Sequence, residues 1–576
     1  MTSSSSDPED VPEQEEEHSK EAVRPSSGKE STDDRPVREH SISSLPTTAT
    51  STTTTTSTPI VSPVASHVAP PTHNVISFPD GDPENPYNWS SAKKIYIVVL
   101  GVVLVINSTI GSSIASGTPA QVSDDFHNYD QYQLVLPISI YLVGYVLGPL
   151  AFGPLSESYG RKWVMIATFA LFTAFTLGCA LAPNFAAYIW FRFFVGVGAS
   201  SPISVVGGIY ADIYDNPVTR GRAMSIFMAA TTWGPLIGPI VSGFVSPALG
   251  WRWVYWLALM FAAVSWPILI FSPETYAPVL LARRAARLRK QHSDPTILAP
   301  SDLEPRSLSS LLTTVLTRPI RMFLNEALVL FSCLYLAFAY AIFYMFFQAY
   351  PLIYPRIYGF NAGQTGLAFL PVGVGSIIAC AIYLYWDVVL QRAKDRDAPW
   401  SRVEEYRRLP LACVGGPLFV ISLFWLGWTA RQDVHWIVPV LSALPFGTGF
   451  LLLFMALLNY LVDAYDVFAA SATAAAACSR SLFGAVLPFA ARPMYERLGV
   501  DWACTVLGLL SLALCVIPFA FLRYGGWLRE RSQFCRELEE YRREEGRKRE
   551  ERREVARGRD VEMGSVGRGN DVQRTS

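Results

Sequence analysis

Residues 95–115 read IYIVVLGVVLVINSTIGSSIA, twenty-one positions without one charged side chain. A helix needs about 20 mostly apolar residues to cross about 30 Å of hydrocarbon. This stretch meets that length, and its apolar residues run all round rather than along one stripe, so it reads as a membrane span and not as a core helix of a soluble domain. The blocks 163–182 and 436–453 read the same way. Over the 576 residues, 51% are hydrophobic and only 16% charged, which places the chain in the integral membrane class. The formal net charge of -1 implies no nucleic-acid partner. Seven of the eight cysteines lie in or beside apolar blocks with no metal or disulfide spacing, so no metal site and no cofactor are expected.

Working outward, about twelve such spans are predicted, near 95–115, 132–154, 163–183, 186–208, 223–245, 252–272, 325–348, 363–386, 409–430, 436–460, 467–491 and 502–522. Residues 1–84, rich in Ser, Thr, Glu and Pro, are expected to be a disordered cytoplasmic tail without a cleavable signal peptide. A polar loop, 273–323, carrying Arg283, Arg284, Arg287, Arg289 and Lys290, divides an N-terminal six-helix half (85–272) from a C-terminal one (324–522). A charged tail, 523–576, follows. If the spans alternate, Lys93–Lys94, Arg161–Lys162, Arg220–Arg222, the 283–290 cluster and the Arg392–Arg408 group share one side. The bias of Lys and Arg toward the cytoplasm then puts both termini there.

Four local signals bear on mechanism. Gly153-Pro154-Leu155-Ser156-Glu157-Ser158-Tyr159-Gly160-Arg161-Lys162 fills the short turn after the second span, and generic positive-inside charge explains Lys162 but not two glycines around Glu157. Arg192 sits several residues inside the fourth span, where a charge costs several kcal/mol unless it faces a cavity or a partner; snorkelling is the bland alternative. In the fifth span, Gly234-Pro235 and Gly238-Pro239 remove backbone donors and let helices approach closely, so a bend against the neighbouring helix is expected. The seventh span carries Tyr340, Phe343, Tyr344 and Phe347 at helical spacing. These rings suit either stacking on a planar ligand or ordinary packing.

The loop at 153–162 closely resembles the signature loop of the major facilitator superfamily, with Glu157 where many members have Asp. Trp233 to Gly243 is similar to the antiporter signature of its drug:proton exporters, Ser242 standing where Gly is frequent. Asn85 to Ser90, Ser272 to Pro278, Asn459 to Tyr465 and Arg480 to Gly484 resemble the fungal twelve-span drug:proton antiporter family. The resemblance implies an all-α major facilitator fold, two six-helix halves that rock around a midplane site, and a charge gate at Gly153, Glu157, Gly160, Arg161 and Lys162. It also implies proton coupling through Arg192. The family contains multidrug, polyamine, organic-acid and metabolite exporters.

The expected activity is therefore export of a small organic molecule across the cell membrane by a monomeric, proton-coupled carrier embedded in the lipid bilayer. Candidate ligand contacts are Asn107, Arg192, Tyr340, Phe343, Tyr344, Phe347, Gln348 and Arg480. No Asp or Glu lies near the middle of a span, whereas Arg192 and Arg480 are deep, which favours an anion or a neutral oxygen-rich ligand over a polyamine. Export of organic-acid anions driven by membrane potential is the alternative, and a non-transporting nutrient sensor a third. An enzyme is not expected, since no catalytic set or phosphate loop is present.

Overall fold

A computed structural model describes residues 74–79, 81–127, 130, 132–303, 308–540, 542–544, 546–547 and 550. Eleven helical stretches among them are long and apolar enough to cross a membrane. The first six are Ser91–Gly117, Gln133–Tyr159, Arg161–Ala180, Phe185–Ile213, Val218–Leu249 and Trp251–Ile270. Next come Ala327–Tyr358, Ala362–Asp395 and Glu404–Thr429. The tenth stretch, Ile437–Val486, has 50 residues. At 1.5 Å per residue it would reach about 75 Å, far beyond one bilayer crossing. It is broken at Asp466, whose φ of 39° turns the chain between the helices Ala443–Tyr465 and Ala469–Val486. Pro488–Arg531 is likewise broken at Gly499, φ 79°. The two interruptions account for twelve passes, as the sequence predicts.

Spans one to six share one buried apolar cluster and spans seven to twelve another. Ala115, Ile138, Leu142 and Leu236 of the first half belong to the second cluster, so the two halves meet along an apolar seam. The loops with Arg161, Arg220 and the basic helix Ala277–His292 lie at one end of the bundle, called here the basic face.

The segment before the first span departs from the expected tail. Residues 1–73 lie outside those described, but Asn74–Val75 pairs in parallel with Ile297–Leu298. Ile76 and Phe78 pack on Leu281, Ala285 and Ala299. Asp82 forms an ion pair with Arg284, and Glu84 one with Arg287 at 3.2 Å. The part of the loop between the halves that runs from Ala277 to Asp302 is thus folded, and the chain just before the first span is clipped to it. The hydrogen bond from Arg284 holds the Asp82 carboxyl below its usual range. A carboxylate depressed in this way contributes above its unfolded pKa and loses that contribution as pH falls through the folded value. Protection of the basic helix from trypsin is therefore expected to persist from about pH 8 down to about pH 5. Asp82→Asn should instead speed cleavage after Arg284 and Arg287 at neutral pH. Equal digestion rates for the variant and the parent would refute the clip.

Candidate functional site

The turn between the second and third spans is made by Gly160, with φ 98° and ψ 152°, a region open essentially to glycine alone. A Cβ there would also collide with the Glu274 carboxylate. Glu274 accepts the backbone N–H groups of Arg161 at 2.9 Å and Lys162 at 3.3 Å, the first two residues of the third helix. It further accepts those of Thr275 and Tyr276, both at 3.1 Å. A carboxylate at a helix N-terminus satisfies orphan donors and opposes the positive end of the helix dipole.

Arg161 is buried, and its Nε donates to Asp212 Oδ2 of the fourth span at 3.1 Å. Its other contacts are Ser156 Oγ at 2.7 Å and the Tyr276 ring at 4.7 Å from the guanidinium carbon. Glu157 stands farther off, 3.7 Å from Arg161 and 56% exposed. The sequence identified Glu157 as the acidic member of this gate, but the geometry gives Arg161 to Asp212 and the helix start to Glu274. Gly153 is inside the second span, where nothing lies within 4 Å of a Cβ, so it does not shape the turn. The second half has a counterpart on the same face: Arg408 Nε donates to Asp463 at 2.8 Å, and Arg408 Nη1 to the Tyr383 hydroxyl at 3.2 Å.

Arg192 is 1% exposed and meets no carboxylate among the described residues. It donates to the carbonyls of Pro137 and Gly111, both at 2.8 Å, and of Ser112 at 3.4 Å. Gly111 and Ser112 belong to the last turn of the helix Ser91–Ser113, whose carbonyls have no intrahelical partner. The arginine therefore caps that helix end, and the Tyr141 ring covers it at 4.6 Å. Asn107 is similarly occupied within the first half, donating to Ser265 Oγ at 2.7 Å and Val103 O at 2.9 Å.

The fifth span stays one helix through Pro235, Pro239 and Pro247. Gly234 and Gly238 lie against Thr109 and Ser113 of the first span, where a Cβ would clash. Ser242 Oγ accepts the Gly117 N–H at 3.1 Å, which gives the departure from the glycine pattern a use in joining spans one and five. The outer part of the same helix crosses the seam. A Cβ added to Gly366 of the eighth span would approach the Pro239 carbonyl oxygen at 2.7 Å, and one added to Gly243 would approach the Ala362 carbonyl oxygen at 2.5 Å.

On the seam, in the last turn of the first helix, Ser112 Oγ and Tyr344 OH are 2.7 Å apart and join the two halves. Tyr340 stacks at a tilt on Tyr344, 4.8 Å between centroids, and the Arg480 guanidinium lies 5.5 Å from the Tyr340 centroid. Phe343 and Phe347 belong to the same aromatic group but contact Phe450 at 5.1 Å and Phe369 at 5.1 Å within the second half. The Gln348 amide nitrogen is buried without a hydrogen-bond partner. The structure thus gathers Tyr340, Tyr344 and Arg480, leaves Asn107 bonded within the first half, and connects Arg192 to this group only through the Ser112 backbone. Sequence reasoning missed Ser112, and it missed Phe446, Phe450 and Phe454, whose i, i+4, i+8 spacing in the tenth span was readable. It also missed Asp212, for which an isolated acid at the inner end of a span was the available signal.

The family model described as Major Facilitator Superfamily matches residues 100–488. The MFS-type efflux pump MFS2 of Trichophyton rubrum is 38% identical over 80% of this chain and 77% of its own length. Efflux pump FUBT of Fusarium oxysporum is 39% identical over 80% of the chain and 78% of its own. The major facilitator superfamily multidrug transporter mdrA of Aspergillus fumigatus is 36% identical, with 79% and 75% covered. Among solved structures, the proton:xylose symporter XylE bound to 6-bromo-6-deoxy-D-glucose superposes with a TM-score of 0.54 at 16% identity, covering 75% of this chain and 97% of that one. That likeness concerns the fold alone.

Proposed function

The chain belongs to the major facilitator superfamily, and on that premise we propose that it exports small organic molecules from the cell by alternating access coupled to proton antiport. The observation that carries this reading is the seam. Among the described residues no ion pair joins the halves. Their polar links are the Ser112–Tyr344 hydroxyl pair and two long thiol contacts, from Cys380 to Ser225 O and from Cys478 to Val146 O, each 3.5 Å. A hydroxyl pair contributes about 1 kcal/mol, so rocking the halves apart breaks little. Each half meanwhile keeps its own charge cluster, Arg161–Asp212 or Arg408–Asp463, as a rigid-body staple. Two packed arrangements of small energy difference are what a bistable carrier requires.

The basic face is cytoplasmic on the positive-inside argument, with both termini there and the protein acting as a monomer in the plasma membrane. Export rather than uptake is supported by the efflux names of the relatives and by the Gly-Pro span that links spans one, five and eight. Everted vesicles given an acid interior should accumulate 1-naphthoate or its neutral amide. Uptake that ignores the gradient in the parent protein would discard antiport. Export of organic-acid anions driven by the membrane potential is the second reading, favoured by the state of Arg480.

A further inference from the structure

Three arginines are buried among the described residues: Arg161, Arg192 and Arg480. Arg161 has Asp212, and Arg192 has three carbonyls. Arg480 has neither. It is 8% exposed, its Nε has no hydrogen-bond partner, and among the described residues no carboxylate or carbonyl bonds to its guanidinium. Its neighbours are faces of aromatic rings, Tyr340 at 5.5 Å and Phe454 at 5.9 Å from the guanidinium carbon. Cation–π contact recovers only part of the solvation that a buried charge loses. A cation held in this way favours a counter-charge, which no described residue supplies.

We propose that the seam binds a planar aromatic monoanion, its carboxylate taken bidentately by Arg480 and its ring stacked on Tyr340 and Phe454. The inference rests on the exporter reading and names the ligand class of the same seam. A guanidinium presents two parallel N–H donors that match a carboxylate, and such pairs are short and strong. The flat walls select a flat body, and Gly484, one turn beyond Arg480, lets its helix approach the ring closely: an added Cβ would come within 3.0 Å of Tyr340 Cδ1. Tyr340 and Tyr344, whose hydroxyls are 3.4 Å apart, offer hydrogen bonds to a second oxygen on the ligand. The charge count sets the valence. One fixed positive charge with no fixed negative one makes the occupied seam neutral for a monoanion, positive for a neutral ligand and doubly positive for a cation. A neutral occupied seam is the one that costs least when water is excluded during rocking.

The test uses three probes with one ring system and three charges: 1-naphthoate, 1-naphthamide and 1-naphthylmethylammonium. Equilibrium dialysis against the full-length protein in nanodiscs should rank naphthoate at least about tenfold tighter than the amide, with the ammonium weakest. Arg480→Gln should weaken naphthoate by about tenfold or more while leaving the amide within about threefold, and Arg480→Lys should fall between. The unchanged amide shows that the variant is folded. Equal affinities for the three probes, tighter binding of the ammonium, no binding of naphthoate, or an unaltered naphthoate affinity in Arg480→Gln would each overturn the assignment. Transport in everted vesicles separates this from the exporter reading. If the amide or the ammonium is pumped and naphthoate is not, the exporter stands and the ligand class falls. If naphthoate binds through Arg480 but nothing moves, the reverse holds.

Discussion

Arg192→Ala is expected to abolish transport and to destabilise the purified protein by about 3 kcal/mol. The sequence alone suggests only the first of these, with surface expression near normal, because it reads the arginine as part of the transport machinery facing a cavity. The structure gives it a second duty. Its guanidinium holds the Pro137, Gly111 and Ser112 carbonyls together, tying the outer end of the first helix to the start of the second. Ser112 is also the residue that meets Tyr344 across the seam, so loss of the cap loosens the first-half side of that contact. Arg192→Lys should recover part of the stability, because an ammonium reaches one or two carbonyls but lacks the planar fork. Thermal unfolding in detergent together with vesicle transport checks both statements. An alanine variant that transports normally would remove Arg192 from the mechanism, and one that is inactive yet fully stable would restore the purely functional reading.

Gly160→Val carries the other large effect. A β-branched residue at φ 98° and ψ 152° costs about 1–3 kcal/mol in the backbone alone. The new side chain must also displace Glu274, leaving the amides of Arg161 and Lys162 without their acceptor at about 1–3 kcal/mol each. A total near 4 kcal/mol is expected, enough to trap or misfold the carrier. Gly153→Ala is the informative partner, since the site is open and helical, and Ala is a better helix former by about 1 kcal/mol. Near-normal yield and flux for Gly153→Ala with collapse for Gly160→Val is the predicted pattern, read by size-exclusion profile and vesicle flux. Similar losses at both positions would mean that the glycines act as a pair, as the motif alone suggests.

Much of the fold was legible because a hydrocarbon core imposes a length and a composition on every pass. The block at 95–115 announces itself, and the observed helix Ser91–Gly117 only extends it at the ends. The tenth and eleventh passes were legible as two apolar runs although their helices are separated by little more than the turn at Asp466. The clip at 74–84 was not legible, because two residues of strand pairing and an ion pair to a helix some 200 positions later leave no local pattern.

The site was readable in part for the same reason. Arginines inside apolar blocks stand out, so Arg192 and Arg480 were both marked, but their opposite circumstances depend on which helix lies across from each. Carbonyls at the end of the first helix satisfy one, and ring faces meet the other. The motif points to Glu157 because it lies within it, whereas Asp212 and Glu274, which bond Arg161 and the start of its helix, come from 51 and 113 positions beyond Arg161 and carry no local signal tying them to it.

Accessibility of Ser112 tests the central claim, that two halves rock about this seam, most directly. With the eight native cysteines replaced, Ser112→Cys would be challenged with a membrane-impermeant maleimide in right-side-out and in everted vesicles. The side chain is fully buried in the state described, so labelling reports the halves parting. The account predicts labelling from the basic face under one direction of the pH gradient and from the opposite face under the other, never from both at once. Labelling from both faces together would describe a channel, and labelling from one face whatever the gradient, or from neither, would contradict alternating access at this seam.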